Sequence, residues 1–352
     1  MKILELDFEA GWRGGERQTF LSMQQFRAAG HEVEILCRAG GKMAERAHAA
    51  GFVVHPCNNV LGVLAFLAIH GESYDILHPQ TGHMLSWAVL SRPFHRRPVV
   101  YSRRVAFALK GWFTRYKYQR VDQVVAISQA CADSVRALGV DDIEIIPSAV
   151  LPVLPDASRC KALADTLGIG GRRVVATTSA LSEDKDPLLL VEAIASLRQR
   201  RNDFVFVHFG TGDMTDVVKT RIKELGLEQV FLLGGYQQQV EALFGLFDVF
   251  VMSSREEGLG SSVLDAFSAR VPVASTDAGG LKELLADERG LLSAVGDARG
   301  LAAHIDTLLE GSPQVLAMAE RAYEYVVRVH SVETMANSYL RLFERLLRRA
   351  PA

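Results

Sequence analysis

The chain alternates between two hydrophobic periods. Short, nearly continuous apolar runs occur at residues 3–6, 33–37, 52–54, 74–78, 98–101, 123–127 and 143–146. They have the length and boundaries of strands buried on both faces. Most are separated by stretches where apolar residues return every three or four positions. Phe20, Leu21, Met23 and Phe26 before Gly30 show that spacing, which predicts a helix closed by glycine. Such alternation predicts a parallel sheet with right-handed crossovers. Around Pro147, Pro152 and Pro155 the periodicity lapses, which reads as a linker. A second series follows at 173–178, 204–209, 230–233, 248–252, 271–274 and 290–292. Helical segments at about 313–329 and 332–349 end the chain, the last with Met335, Tyr339, Leu342, Phe343 and Leu346 at helical spacing. The expectation is an α/β protein of two doubly wound, Rossmann-like domains, residues 1–152 and 153–330. Ligands are expected where the carboxyl strand ends face a central cleft.

Composition narrows this. With 352 residues the chain is too long for one ordinary core. Its 49% hydrophobic and 23% charged residues exclude wholesale disorder. A net charge of −2 means that any basic surface is local. Cys37, Cys57, Cys131 and Cys160 lie far apart, which argues against a zinc site or a disulfide framework and fits a reducing cytoplasmic compartment. The charged start at residues 1–7 holds too short an apolar run for a signal peptide. The longest apolar stretch, 60–69, is about half a membrane span.

Candidate chemistry gathers at residues 253–267. An apolar run ends at Ser253, Ser254, Arg255, Glu256 and Glu257; then come Gly258, Leu259, Gly260, Ser261 and Ser262, and a helical pattern with Asp265 one turn in. Glycines let backbone approach a ligand, and a helix start offers free N–H groups to an anion. A strand–turn–helix with a serine N-cap and ordinary surface acids has the same pattern.

On those residues the sequence resembles the retaining family 4 glycosyltransferases of the GT-B fold, which use nucleotide-diphospho-sugars. The family's E-G-F-G-x-x-x-x-E is matched by Glu257 to Leu264, with Asp265 at the second acid. Residues 178–187 resemble its G-R-L-x-x-x-K-G, with Lys185 at the lysine and Ala180 at the arginine. The resemblance implies that Glu257 and Lys185 are catalytic, Glu257 facing the donor sugar and Lys185 the leaving diphosphate. It implies that Gly258, Leu259, Gly260, Ser261 and Ser262 hold sugar and diphosphate, and that Asp265 holds the ribose. Gly210, Gly212 and Tyr236 would line the nucleotide pocket, and residues 277–283 would shape it. Arg255, Arg103 or Arg104 would supply the cation missing at Ala180. Asp184-Lys185-Asp186 spells a D-x-D metal motif, but carboxylates at a helix start serve as caps, so neither metal nor cofactor is expected. The segment 331–352 would return as a helix to the first domain.

In the first half, Gly14 and Gly15 resemble a family glycine pair near donor phosphate and acceptor. His78, His83, Arg103 and Arg104 follow strand ends and are acceptor-binding candidates. Residues 92–120 carry nine Lys and Arg without Asp or Glu, interleaved with aromatics. That composition suits an anionic membrane surface or phosphorylated lipid acceptor, at about 1 kcal/mol per surface cation. It also suits solvated cations around core aromatics.

The expected function is therefore transfer of a sugar from a nucleotide-diphospho-sugar to a lipid-linked glycan, lipopolysaccharide or cell-surface polysaccharide. The expected location is the cytoplasm, peripheral on the inner face of the cytoplasmic membrane. Two other readings stay open: a nucleotide-sugar 2-epimerase on the same fold, and a nucleic-acid-binding protein using residues 92–120.

Overall fold

The computed structural model describes residues 1–349. Two compact units divide it: Met1–Ala149 with the C-terminal segment from His330, and Val150–Val329.

Seven strands build the first unit: β1 (Lys2–Asp7), β2 (Glu32–Arg38), β3 (Val53–Cys57), β4 (Ile76–Pro79), β5 (Val100–Arg103), β6 (Gln123–Ala126) and β7 (Ile143–Ile145). All pairings are parallel, in the orders β3-β2-β1-β4 and β5-β6-β7. A bridge from Leu77 to Val99 joins the two sets. Helices form where the period lengthens. In Gly14–Ala28, Leu21, Met23 and Phe26 are buried. In the C-terminal helix Val332–Arg349, Met335, Tyr339, Leu342, Phe343 and Leu346 form the buried face. The two helices meet through Phe26, whose ring centroid lies 6.2 Å from that of Tyr339 and 5.6 Å from that of Phe343. Each such buried side chain contributes about 2 kcal/mol, which holds the last helix to the first unit. The apolar stretch near residue 60 is the helix Val60–His70, with Val63 and Leu67 buried and Leu61 and Ile69 exposed. Among the described residues no helix is long and apolar enough to cross a membrane.

The second unit has six parallel strands: β8 (Arg173–Thr178), β9 (Phe204–Phe209), β10 (Phe231–Gly235), β11 (Val249–Met252), β12 (Val273–Thr276) and β13 (Leu291–Ser293). Their order is β10-β9-β8-β11-β12-β13. From β8 the chain runs outward to β9 and β10, then crosses back to β11 on the other side of β8. Loops leaving the carboxyl ends of β8 and β11 therefore lie at one edge of the sheet, at its topological switch point, where doubly wound sheets bind ligands. Residues 179–186 and 253–260 are those loops.

Candidate functional site

Three consecutive residues of the β8 loop are bonded to the β11 loop. Arg255 N donates to Asp184 O at 2.8 Å, Ser253 Oγ to Lys185 O at 2.7 Å, and Arg255 Nε to Asp186 Oδ2 at 2.8 Å. Thr276 Oγ1 anchors the β11 loop from behind, donating to Ser254 O at 2.7 Å. The outcome is a close ion pair: Lys185 Nζ lies 2.6 Å from Glu257 Oε2, which also accepts from Ser254 Oγ at 3.3 Å. Lys185 and Glu257 expose only 21% and 15% of their side chains, so the pair is largely shielded from water. Charge-assisted bonds in such places are stronger than exposed ones.

The helix Ser261–Ser268 starts beside this pair. Its N-cap is Gly260 at φ +100°, not a serine. Ser262 Oγ instead donates to Thr178 O at 3.0 Å. The first helical N–H groups thus have no side-chain cap, while Leu259 is buried and Asp265 is half-buried. A second glycine pair supports the turn. Gly280 N donates to Glu257 O at 3.1 Å. At Gly279, φ is +49° and a β-carbon would fall 2.1 Å from Glu257 O, so no larger residue fits this close approach.

The loops after β9 and β10 join the same end of the sheet. Gly210 N donates to Gly235 O at 2.9 Å, and Leu181 N to Thr211 O at 3.2 Å. Gly212 belongs to this stitched turn, and Tyr236 beyond it is 72% exposed. Below lies His208, fully buried, with Nε2 3.1 Å from Ser179 O and Nδ1 unpartnered. Burial pushes its pKa down to about 4. Sequence reasoning passed over His208; the signal was a histidine inside the apolar run 204–209.

The two carboxylates of Asp184-Lys185-Asp186 are engaged separately. Asp184 accepts from Ser182 Oγ at 2.6 Å, and Asp186 caps the helix Pro187–Arg198 while pairing with Arg255. Among the described residues, no three His, Cys, Asp or Glu side chains gather as a metal would need.

In the first unit, Gly14 opens the helix after β1 and Glu16 caps it, accepting from Arg13 N at 2.6 Å. His78 is fully buried: Nδ1 lies 2.9 Å from Glu5 Oε1, and Nε2 lies 2.8 Å from Ser102 Oγ, which is 2.7 Å from Tyr339 Oη. No ring nitrogen of His78 is left for an acceptor. Its neighbour Gln80 donates to Glu5 Oε2 at 2.7 Å and accepts from Arg104 Nη2 at 2.8 Å. The Arg104 stem reaches the glycine loop, where a β-carbon on Gly15 would lie 3.8 Å from its Cδ. Arg103 turns away; it is buried, with its guanidinium 4.5 Å from the Phe107 ring centre. His83 is exposed on the helix Gly82–Leu90.

Residues 162–325 match the family model of glycosyl transferases group 1, and residues 12–152 match that of glycosyltransferase family 4. The chain belongs to the family 4 glycosyltransferases. As a member, it is 31% identical over 170 residues to a lipopolysaccharide core biosynthesis glycosyltransferase, LpsE, of Rhizobium meliloti, covering 48% of this chain and 49% of that protein. It is 28% identical over 212 residues to a 2-deoxystreptamine glucosyltransferase of Streptomyces kanamyceticus, covering 58% and 55%. The chain thus spans about half the length of these curated relatives. Its fold matches that of HepE from Anabaena, solved in complex with UDP, with a TM-score of 0.87 over 98% of this chain and 100% of the other at 22% identity.

The basic segment of this family member divides in two. Tyr101 and Tyr118 are core, and Lys117 turns inward, donating to Gly82 O at 2.7 Å. Burial, and then the nearby Arg103, lower its pKa. Phe94, Phe107, Trp112 and Tyr116 are exposed, Trp112 by 81%. A groove of about 410 Å³ runs beside Trp112 between Lys110, Arg115 and Leu138.

Proposed function

We propose that this glycosyltransferase moves a sugar from a nucleotide-diphospho-sugar to an acceptor, with retention of anomeric configuration. The Lys185–Glu257 pair carries the reading. A lysine fixed in place stabilises charge as it develops on a departing diphosphate. Glu257 accepts hydrogen bonds from the donor sugar, and backbone N–H groups from Gly258 to Ser262, leading into a helix start without a side-chain cap, suit the diphosphate. Asp265 holds the ribose in this reading. No metal or other cofactor is invoked, since Lys185 provides the cation. HepE, solved with UDP and with UDP-glucose, supports a nucleotide-sugar donor. Transferases among the relatives favour transfer over 2-epimerisation.

The acceptor proposed is a lipid-linked glycan, lipopolysaccharide or cell-surface polysaccharide, reached by the cytoplasmic enzyme while peripherally bound to an anionic membrane. Relatives named for lipopolysaccharide core and amylovoran biosynthesis support it, as do Trp112 and Phe107, exposed within a segment that holds nine Lys and Arg and no Asp or Glu of its own. On this reading Arg104 and His83 meet the acceptor, and residues 92–120 meet lipid rather than nucleic acid.

A thermal-shift panel of UDP-, GDP- and ADP-sugars tests the donor, because a true donor stabilises the folded protein by mass action. No shift with any of them would refute the reading. Sedimentation with anionic and neutral vesicles tests the membrane: wild type should bind the anionic ones and lose binding in salt, and Trp112→Ala should bind less.

A further inference from the structure

We infer that Asp186 and Arg255 form a clamp whose task is to position Lys185 against Glu257; this rests on the reading of that pair as the donor-diphosphate site. Asp186 sits at φ +44°, ψ 60°, a left-handed conformation unfavourable for any residue with a β-carbon. Its carboxylate is 8% exposed, and a buried carboxylate needs a partner. Two interactions keep it there: Leu189 N donates to Oδ1 at 3.4 Å, and Arg255 Nε donates to Oδ2 at 2.8 Å. The cap needs only one oxygen of any Asp, Asn or Ser. The second oxygen is used to reach across to the β11 loop.

The same arginine bonds Asp184 O through its backbone, and Ser253 bonds Lys185 O. Residues on both sides of Lys185 are thus tied to the strand loop that carries Glu257. Lysine is a point charge on a flexible stem, and a cation that must meet a phosphate without reorganising gains from having its backbone held. Arg255 is itself half exposed, and its ion pair raises its pKa further, so it stays charged at every working pH.

The test uses the full chain and the nucleoside diphosphate (UDP, GDP or ADP) that shifts the wild-type melting point most, with its monophosphate as comparison. Asp186→Asn retains a capping oxygen but removes the charge; Arg255→Gln removes the partner from an exposed position. Each should weaken diphosphate binding roughly tenfold while changing monophosphate binding less than about twofold. The double variant should be no weaker than either single one, and Arg255→Lys should recover part of the loss. Melting points that fall while the preference for diphosphate over monophosphate stays intact would reduce Asp186 to a helix cap and overturn the inference. Lys185→Ala separates the two levels. If it abolishes the preference while Asp186→Asn and Arg255→Gln do not, only the clamp fails; if it leaves the preference unchanged, the reading of the site fails and the clamp with it.

Discussion

Lys185 Nζ lies 2.6 Å from Glu257 Oε2 across 72 residues of sequence. β8 and β11 are neighbours in the sheet, so the loops leaving them share one edge. Removing Glu257 leaves Lys185 with only Asp184 Oδ2 at 3.5 Å, and removing Lys185 leaves Glu257 without a cation, holding Ser254 Oγ at 3.3 Å. Lys185→Ala and Glu257→Ala should each reduce sugar transfer by about 100-fold or more, measured as single-turnover rates at saturating donor. Near-normal transfer by either variant would contradict the assigned roles.

The glycine turn behind Glu257 should tolerate no side chain. At Gly279 a methyl group would meet Glu257 O at 2.1 Å with φ at +49°. Gly279→Ala should cost about 1–3 kcal/mol and displace the Glu257 backbone. A lowered thermal midpoint with loss of the nucleotide-dependent shift is expected. Gly296→Ala, also at positive φ but with open space around the β-carbon, should lower the midpoint less and keep the shift.

Asp7 gives the first unit a pH dependence. Burial, and then the charge of Glu16, raise its pKa from 3.8 to about 7. The folded state therefore holds a proton that the unfolded chain has lost, so stability falls as pH rises from about 4 to about 7 and is level above. At about 1.4 kcal/mol per unit, the ionised group costs the fold on the order of a few kcal/mol. Asp7→Asn should flatten that limb and raise stability at pH 8. His208 acts oppositely: its pKa is lowered from 6.5 to about 4, so its contribution is lost as pH falls through that window. Denaturant midpoints from pH 4 to 8 for wild type, Asp7→Asn and His208→Gln separate the two slopes.

The buried chain from Glu5 through His78 and Ser102 to Tyr339 should show graded costs. Tyr339→Phe removes one hydroxyl and leaves Ser102 bonded to His78, costing about 1 kcal/mol. His78→Ala leaves Glu5 fully buried with Gln80 as its remaining side-chain partner, costing about 3–5 kcal/mol. Equal losses in the two variants, by equilibrium denaturation, would refute the network as described.

Local pattern was enough to read the strands, their alternation with helices, the break near Pro147 and the glycine turn after Glu257, because each depends on a few consecutive side chains, whereas the roles of Glu257 and Lys185 were implied by resemblance to the family's motifs. Burial periods and glycine turns are written at that range. Strand order is not: nothing near Asp248 says that β11 returns beside β8, and only that return places Lys185 on Glu257. The same limit governs the polar residues. His78 at a strand end looks free to reach a ligand until β1, β5 and the C-terminal helix supply Glu5, Ser102 and Tyr339 around it. Tyr118 and Trp112 are indistinguishable in a run of aromatics and cations, yet packing buries one and leaves the other in water. Asp186 reads from sequence as a capping acid; its left-handed backbone and its bond to Arg255 exist only once two loops far apart in the chain lie side by side. Composition and period determined which elements form and which groups could do chemistry, whereas the contacts that give those groups partners are long-range and were decided by the tertiary fold.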